Sequence, residues 1–157
     1  MDETVDPQAA RDRLAREHDR VEHLIEGLRE GRIVPFCRLN LTGDPVAEAR
    51  RAIGLGARGI KLHPRAQAFS VDDERLVPVF EIAAEHRIPI LIHAGRGMPP
   101  IGEALATAAE RNPDATLILA HAAIVDQDRI ASLVAGRPNV VFDASRSEEH
   151  TSELQSH

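Results

Sequence analysis

Short apolar runs alternate with amphipathic helical patterns along most of this chain, and this alternation limits the fold more than any other feature. The apolar runs are rich in Val, Ile and Leu and are bounded by turn-forming residues. The predicted strands cover residues 33–39, 59–64, 88–93, 116–121 and 139–143. The predicted helices cover residues 8–30, 44–54, 70–87, 100–111 and 126–135. Strands and helices that alternate with short loops predict a parallel sheet covered by helices.

Two α/β architectures fit this alternation, an open doubly wound sheet and a (β/α)8 barrel. The glycine-rich phosphate-binding fingerprint of dinucleotide-binding sheets is absent, and the stretch Gly95, Arg96, Gly97 is too short to count as one. Polar residues end several successive strands, as in barrels, where chemistry gathers at the carboxyl ends of the strands. The sequence therefore predicts an incomplete (β/α)8 TIM barrel. We expect about five parallel strands with flanking helices, with the first strands and the last strand missing.

The composition argues against several classes of protein. A net charge of -6 and an aromatic content of 3% give no basis for binding nucleic acid. No apolar run reaches the ~20 residues of a membrane span. Cys37 is the single cysteine, so the default expectation is a reducing cytoplasm. Lys61 is the single lysine among 19 basic residues, which indicates the codon bias of a GC-rich, bacterial genome and favours a chemical role for this lysine.

The segment of residues 146–157 does not continue the pattern. It is polar and unpatterned, directly follows an apolar strand, and reads like the in-frame translation of a sequencing adapter. We therefore expect a partial barrel domain over residues 1–145 and an artefactual, disordered tail over residues 146–157, with a natural disordered tail as the alternative. On this interpretation the chain is the middle part of a larger enzyme.

The residues that end the predicted strands form one group of candidate functional side chains. This group contains Arg38, Lys61, His63, His93, His121 and Asp143. Side chains alternate along a strand, so residues two positions apart share a face. We therefore expect four pairs on the barrel interior: Lys61 with His63, Leu91 with His93, Leu119 with His121, and Val141 with Asp143. Imidazoles and a carboxylate that converge in one barrel mouth are suitable ligands for a divalent metal ion.

Each of these residues also has an ordinary structural interpretation. His93 and His121 end apolar strands, where an unpaired imidazole would be costly, so a functional role is favoured for this pair. His63 has a functional role or is merely hydrogen-bonded, and Asp143 belongs to the site or caps the loop that follows it. Arg38 binds a substrate carboxylate or pairs with Asp143, and the sequence leaves both options open.

Four motifs together resemble successive strands of the amidohydrolase-related family, whose members are metal-dependent (β/α)8 barrels of the amidohydrolase superfamily. The motifs are GARGIKLHP at 56–64, PILIHAG at 89–95, LILAHA at 117–122 and PNVVFDAS at 138–145. The resemblance covers most of residues 30–145. The family's His-x-His pair on its first strand and the aspartate of its final strand have no counterpart in this chain.

The resemblance implies a divalent metal ion, expected to be Zn²⁺, with His93 as a ligand and His121 as a ligand or as the group that polarises the substrate. It implies hydrolysis of an amide, ester or lactone bond in a small molecule by metal-activated water, with catalytic roles for His121 and Asp143. The expected substrate-binding residues are Arg38, Lys61, His63 and Arg96. We expect a substrate that is small and can carry a carboxylate, and pocket walls formed by segments 65–71 and 95–100. The sequence leaves open whether the parent enzyme is a homo-oligomer.

Three alternatives remain. Non-oxidative decarboxylases of the same family use the metal to orient a carboxylated substrate. A metal-free, aldolase-like barrel would use Lys61 as a Schiff base after burial lowers its pKa. Finally, the chain as given is expected to be inactive, because five strands cannot close an eight-stranded barrel and two histidines are fewer than the about three protein ligands of a catalytic zinc.

Overall fold

The computed structural model describes residues 6–95, 97–123 and 126–145, so Arg96 and the expected tail lie outside the described residues. The chain divides into two compact units, Met1–Pro35 and Phe36–His157. The first contains helix α1 (Pro7–Arg29), as predicted, and the side chain of Asp6 caps it by accepting a hydrogen bond from the Gln8 amide at 2.9 Å. None of the described helices combines the length and the apolar character that crossing a membrane requires.

The second unit contains a five-stranded parallel sheet in which the strands follow the order of the chain. The strands are β1 (Phe36–Arg38), β2 (Gly59–Leu62), β3 (Ile90–His93), β4 (Leu117–Ala120) and β5 (Val140–Phe142). This order lacks the reversal that creates the switch point of a doubly wound sheet. The strands are therefore arranged as in part of a (β/α)8 barrel wall, which confirms the predicted fold class.

A helix follows each of the first four strands before the next strand begins. The helices of this unit are α2 (Pro45–Gly54), α3 (Pro64–Gln67), α4 (Val77–Glu85), α5 (Gly102–Arg111) and α6 (Gln127–Leu133). The helix expected over residues 70–87 is shorter, because Pro78 lies in the first turn of α4 and cannot be accommodated in a helix interior. A 3₁₀ turn, Glu74–Leu76, precedes it. The four-residue helix α3 was not predicted.

One face of the sheet supplies the hydrophobic core. The parallel register aligns Ile60 with Ile90 and Ile90 with Leu117, and all three side chains are completely buried. The core that includes these residues also includes Phe80 of α4 and Leu105 of α5. This apolar face is therefore covered by the helices, as expected for parallel strands.

The opposite face of the sheet is less buried. Lys61, Leu91 and Ile118 are aligned across β2, β3 and β4, and all three are only partly buried. Val141, the next residue in this row, is 46% exposed. This face corresponds to the interior of a barrel, and it is the face on which polar side chains at the strand ends can gather.

The burial difference predicts the effect of truncating a core leucine. We expect Leu119→Ala, at a fully buried position, to lower the free energy of unfolding by about 2–5 kcal/mol, because it removes apolar contacts and leaves a cavity. The matched control is Leu55→Ala at a position that is 76% exposed, for which a change within about 0.5 kcal/mol is expected. Urea denaturation measures both, and equal losses would contradict the assignment of the core face.

Candidate functional site

Three histidines from neighbouring strands meet at the carboxyl end of the sheet. The ring of His63, which follows β2, stacks on the ring of His93 at the end of β3, with centroids 4.0 Å apart and planes inclined by 19°. The ring of His121, which follows β4, meets His93 edge to face, with centroids 5.2 Å apart and an angle of 77°. The structure therefore brings these three predicted site residues into one cluster.

His121 reaches this cluster through a break in strand alternation. Leu119 is aligned with Ile92 and lies on the helix-covered face, so the expectation that His121 shares the interior face with Leu119 is wrong. Strand β4 ends just before His121, where the backbone turns through φ values of 61° and 49° at His121 and Ala122. Such left-handed conformations are uncommon for residues other than glycine. This turn directs the imidazole to His93.

A hydrogen-bonded loop holds His121 in place. Its Nδ1 lies 3.3 Å from the carbonyl oxygen of Ser145, and since a carbonyl can only accept, Nδ1 carries a proton, so that in the neutral imidazole the lone pair is on Nε2. The Asp143 carboxylate accepts hydrogen bonds from the Ser145 amide at 2.9 Å and hydroxyl at 2.6 Å. These bonds, with a smaller contribution from His121, lower the pKa of Asp143. Asp143 thus caps the loop after β5, and Ser145, which sequence reasoning missed, connects it to His121.

His63 has a structural role beside its contact with His93. Its Nδ1 accepts a hydrogen bond from the Ala66 amide at 3.2 Å and caps α3, while its own amide donates to the Gln67 side chain at 2.8 Å. The Gln67 amide group also donates to the Leu39 carbonyl at 2.6 Å and so connects the ends of β1 and β2. His63 is therefore hydrogen-bonded, and its role in binding the substrate stays a prediction. Gln67 was missed because α3 is too short to show periodicity.

The environment favours the neutral form of His63 and His93. Burial, followed by the charges of His63, Lys61, His121 and Arg65, lowers the pKa of His93 from 6.5 to about 4. Burial is also the largest cause of the lowered pKa of His63. A neutral imidazole offers a lone pair to a metal ion or to a proton.

Lys61 and Arg38 are cross-strand neighbours on the inner face. Burial lowers the pKa of the Lys61 amine, and the charge of Asp143 partly opposes that shift. Arg38 lies on β1 and Asp143 follows β5, at opposite edges of the sheet. The described side chains show no ion pair between Arg38 and Asp143. The pairing with Asp143 that the sequence left open for Arg38 is therefore absent from the described structure.

The two histidine rings pack so closely against Gly95 that only glycine fits at this position. A side chain there would place its Cβ 2.8 Å from Cδ2 of His121 and 3.2 Å from Nε2 of His93. Next to this loop, residues of segments 64–73 and 98–104 line a cleft of about 500 Å³. Much of segments 65–71 and 95–100, which we expected to form pocket walls, lies along this cleft.

The described residues fit part of a metal site. The imidazoles of His93 and His121 are in contact, His93 has a lowered pKa, and both rings pack closely against Gly95. However, no group of three or more His, Cys, Asp or Glu side chains within the described ranges is arranged to hold a metal ion. A catalytic zinc has about three protein ligands, so this pair fits as an incomplete ligand set.

The comparisons with known proteins agree with the strand-end geometry. The family model described as Amidohydrolase matches residues 9–155. The chain belongs to the amidohydrolase family. Members of this family generally use divalent metal ions. The match extends beyond Ser145, and the domain boundary at residue 145 stays a prediction. A search of curated protein sequences found no match.

Two solved structures share the fold of this amidohydrolase-family chain. An uncharacterised TIM-barrel protein from Bordetella bronchiseptica is 24% identical, with a TM-score of 0.60, over 71% of this chain and 43% of that one. The apo form of Metarhizium anisopliae IDCase is 22% identical, with a TM-score of 0.52, over 85% of this chain and 42% of that one. The chain therefore spans less than half the length of either protein.

The neutral state of His93 leads to a prediction about pH. In the metal-free chain, NMR titration of the imidazole protons should give His93 a pKa of about 4 in place of the ordinary 6.5. The unfolded chain gains this proton near pH 6.5 and the folded chain does not, so stability should fall as the pH drops from about 6.5 toward 4. An ordinary titration of His93 near pH 6.5 would contradict the described environment.

Proposed function

We propose that this chain carries part of the active site of a metal-dependent hydrolase. Its divalent ion, Zn²⁺, is held by His93 and His121, and its substrate is a small, carboxylated molecule with an amide, ester or lactone bond. The observation that carries the proposal is the contact between these two imidazoles, with ring centroids 5.2 Å apart at the ends of adjacent strands. Membership in the amidohydrolase family supports the same assignment.

The hydrogen bond of His121 supports its role as a ligand. Metal-binding histidines usually donate their second ring N–H to a carbonyl or carboxylate, which fixes the tautomer and the ring orientation. The Ser145 carbonyl accepts a hydrogen bond from Nδ1–H of His121, which leaves Nε2 of the neutral imidazole available for a metal ion. A bound divalent ion would lower the pKa of coordinated water and polarise a carbonyl group.

The remaining residues of the site orient groups or bind the substrate. The catalytic contribution that we propose for Asp143 is that of a positioning residue, because its carboxylate holds Ser145 and the Ser145 carbonyl orients His121. His63 packs flat against His93 and limits the rotation of that ring. In this proposal Arg38 and Lys61 attract the carboxylate of the substrate.

The positive charge near the histidines also favours a second reaction of the same family, non-oxidative decarboxylation. Lys61 and Arg65 both lower the pKa of His93, and Arg38 acts on His63. These cations attract a carboxylated substrate in both reactions, since hydrolysis retains the carboxylate and decarboxylation removes it. Assays with paired ester and arenecarboxylic acid substrates in the full-length parent enzyme would separate the two reactions.

The proposed metal site predicts the effect of removing each histidine. We expect His93→Ala and His121→Ala to weaken Zn²⁺ binding to the chain by about tenfold or more, since each removes a ligand from an already incomplete set. His86→Ala, at an exposed position after α4, is the matched control and should bind as the wild type does. Isothermal titration calorimetry measures the affinities, and unchanged binding in both variants would exclude this pair as ligands.

The 157-residue chain itself should hydrolyse no ester or lactone at a measurable rate, because its described residues contain no group of three side chains arranged to hold a metal ion. The same preparation can be tested for turnover before and after addition of a chelator. Turnover that is lost on addition of the chelator would show that the site is complete within this chain.

The lowered pKa of Lys61 favours a second candidate, the metal-free Schiff-base barrel. Because Lys61 is the single lysine, borohydride reduction with pyruvate can form stable adducts only there or at the α-amino group. On the metal proposal, mass spectrometry should show no more adduct in the wild type than in Lys61→Arg. Selective adduct formation at Lys61 would favour the Schiff-base mechanism instead.

A further inference from the structure

Arg65 connects the histidine cluster to the neighbouring cleft. It lies in α3, two residues after His63, and lines the cleft of about 500 Å³. A Cβ atom at Gly97 would lie 2.1 Å from Nη1 of Arg65, so the guanidinium occupies the space above that glycine. The charge of Arg65 also contributes to the lowered pKa of His93.

The walls of this cleft are mostly apolar. Val71, Met98 and Ile101 contribute buried side chains, and Phe69 is partly buried. A cleft of this size with apolar walls and few polar groups is typical of a small-molecule site. It therefore suits an aromatic or branched aliphatic body.

The charged groups at this cleft are not equivalent. The Asp73 carboxylate is bound by Arg75, with Nη2 2.6 Å from Oδ2 and Nε 3.0 Å from Oδ1. Among the described residues, no carboxylate forms an ion pair with Arg65. The cleft thus combines a neutralised acid with a cation that has no such partner.

We infer that the cleft binds an apolar part of the substrate and that the Arg65 guanidinium binds an anionic group, a carboxylate or its analogue, at the end facing the histidines. Arg65 is then a residue that determines specificity, because the planar guanidinium can bind both carboxylate oxygens. This inference rests on the proposed function. It specifies the substrate class further, as a molecule with an apolar body and an anionic substituent.

Binding of two matched probes tests this inference. NMR titration of the full chain in EDTA compares 2-naphthoate with 2-naphthamide, which has the same apolar body without the charge. We expect the wild type to prefer 2-naphthoate by about fivefold, near the upper value for an exposed charge pair. Raising the salt concentration should reduce this preference.

Two variants and one control distinguish the effect of the Arg65 charge from the effect of the shape of the cleft. Arg65→Gln should abolish the preference for 2-naphthoate, while Arg58→Gln, at an exposed arginine before β2, should retain it. Ala104→Phe, which fills the cleft, should weaken the binding of both probes by a similar factor and leave the ratio of their affinities unchanged. The wild-type and variant spectra also show whether each protein is folded.

Three outcomes would overturn the inference: no binding of either probe at millimolar concentration, equal binding of both by the wild type, or a preference that survives in Arg65→Gln. Because EDTA removes metal ions, this result is independent of the metal site. Failure of Zn²⁺ binding with a retained, Arg65-dependent preference would refute the metal proposal alone. Intact Zn²⁺ binding without such a preference would refute the role of Arg65 alone.

Discussion

The parallel register of β2, β3 and β4 is the constraint on which the candidate site depends. Adjacent strands are separated by about 4.8 Å, close to the 4.0 Å and 5.2 Å between the rings of successive histidines. The ladder therefore sets the spacing of His63 and His93, and the left-handed turn after β4 brings His121, which lies one residue beyond the partner of His93, to a similar distance. A slip of one residue in β3 would move His93 to the helix-covered face and place Ile92 in the mouth. The buried apolar face fixes the register, so the packing of the core and the geometry of the site share one cause.

The contrast between the two faces of the sheet also accounts for the positive charge around His93 and for its lowered pKa. The helix-covered face is apolar, so ionisable side chains at the strand ends are confined to the inner face, where they are only partly buried. Several cations accumulate there around His93, and together with burial they lower its pKa to about 4. An anionic ligand would compensate this positive charge. The same arrangement therefore favours neutral imidazoles and anionic substrates.

The sequence predicted those parts of the structure that follow from periodicity. Apolar runs located all five strands, and the polar residues at their ends located the mouth. Alternation failed at His121, because a left-handed turn at the end of β4 is set by local backbone conformation and not by the hydrophobic pattern. Ser145 was missed for a related reason, and Arg65 was expected only as part of the pocket wall 65–71. Their roles depend on contacts between loops that are distant in sequence, and no spacing of residue types encodes such contacts.

In the proposed site, metal affinity and substrate recognition would have different structural requirements. A complete set of metal ligands in a barrel draws on strands all around the mouth, and the described part of this chain brings two imidazoles from adjacent strands. The cleft beside Arg65 needs only the segments that follow β2 and β3, and both are described, apart from Arg96. The capacity to discriminate between ligands can therefore be present where the capacity to hold a metal tightly is not. In the proposed site, recognition and chemistry are separable because the first depends on two consecutive loops and the second on the closure of the barrel.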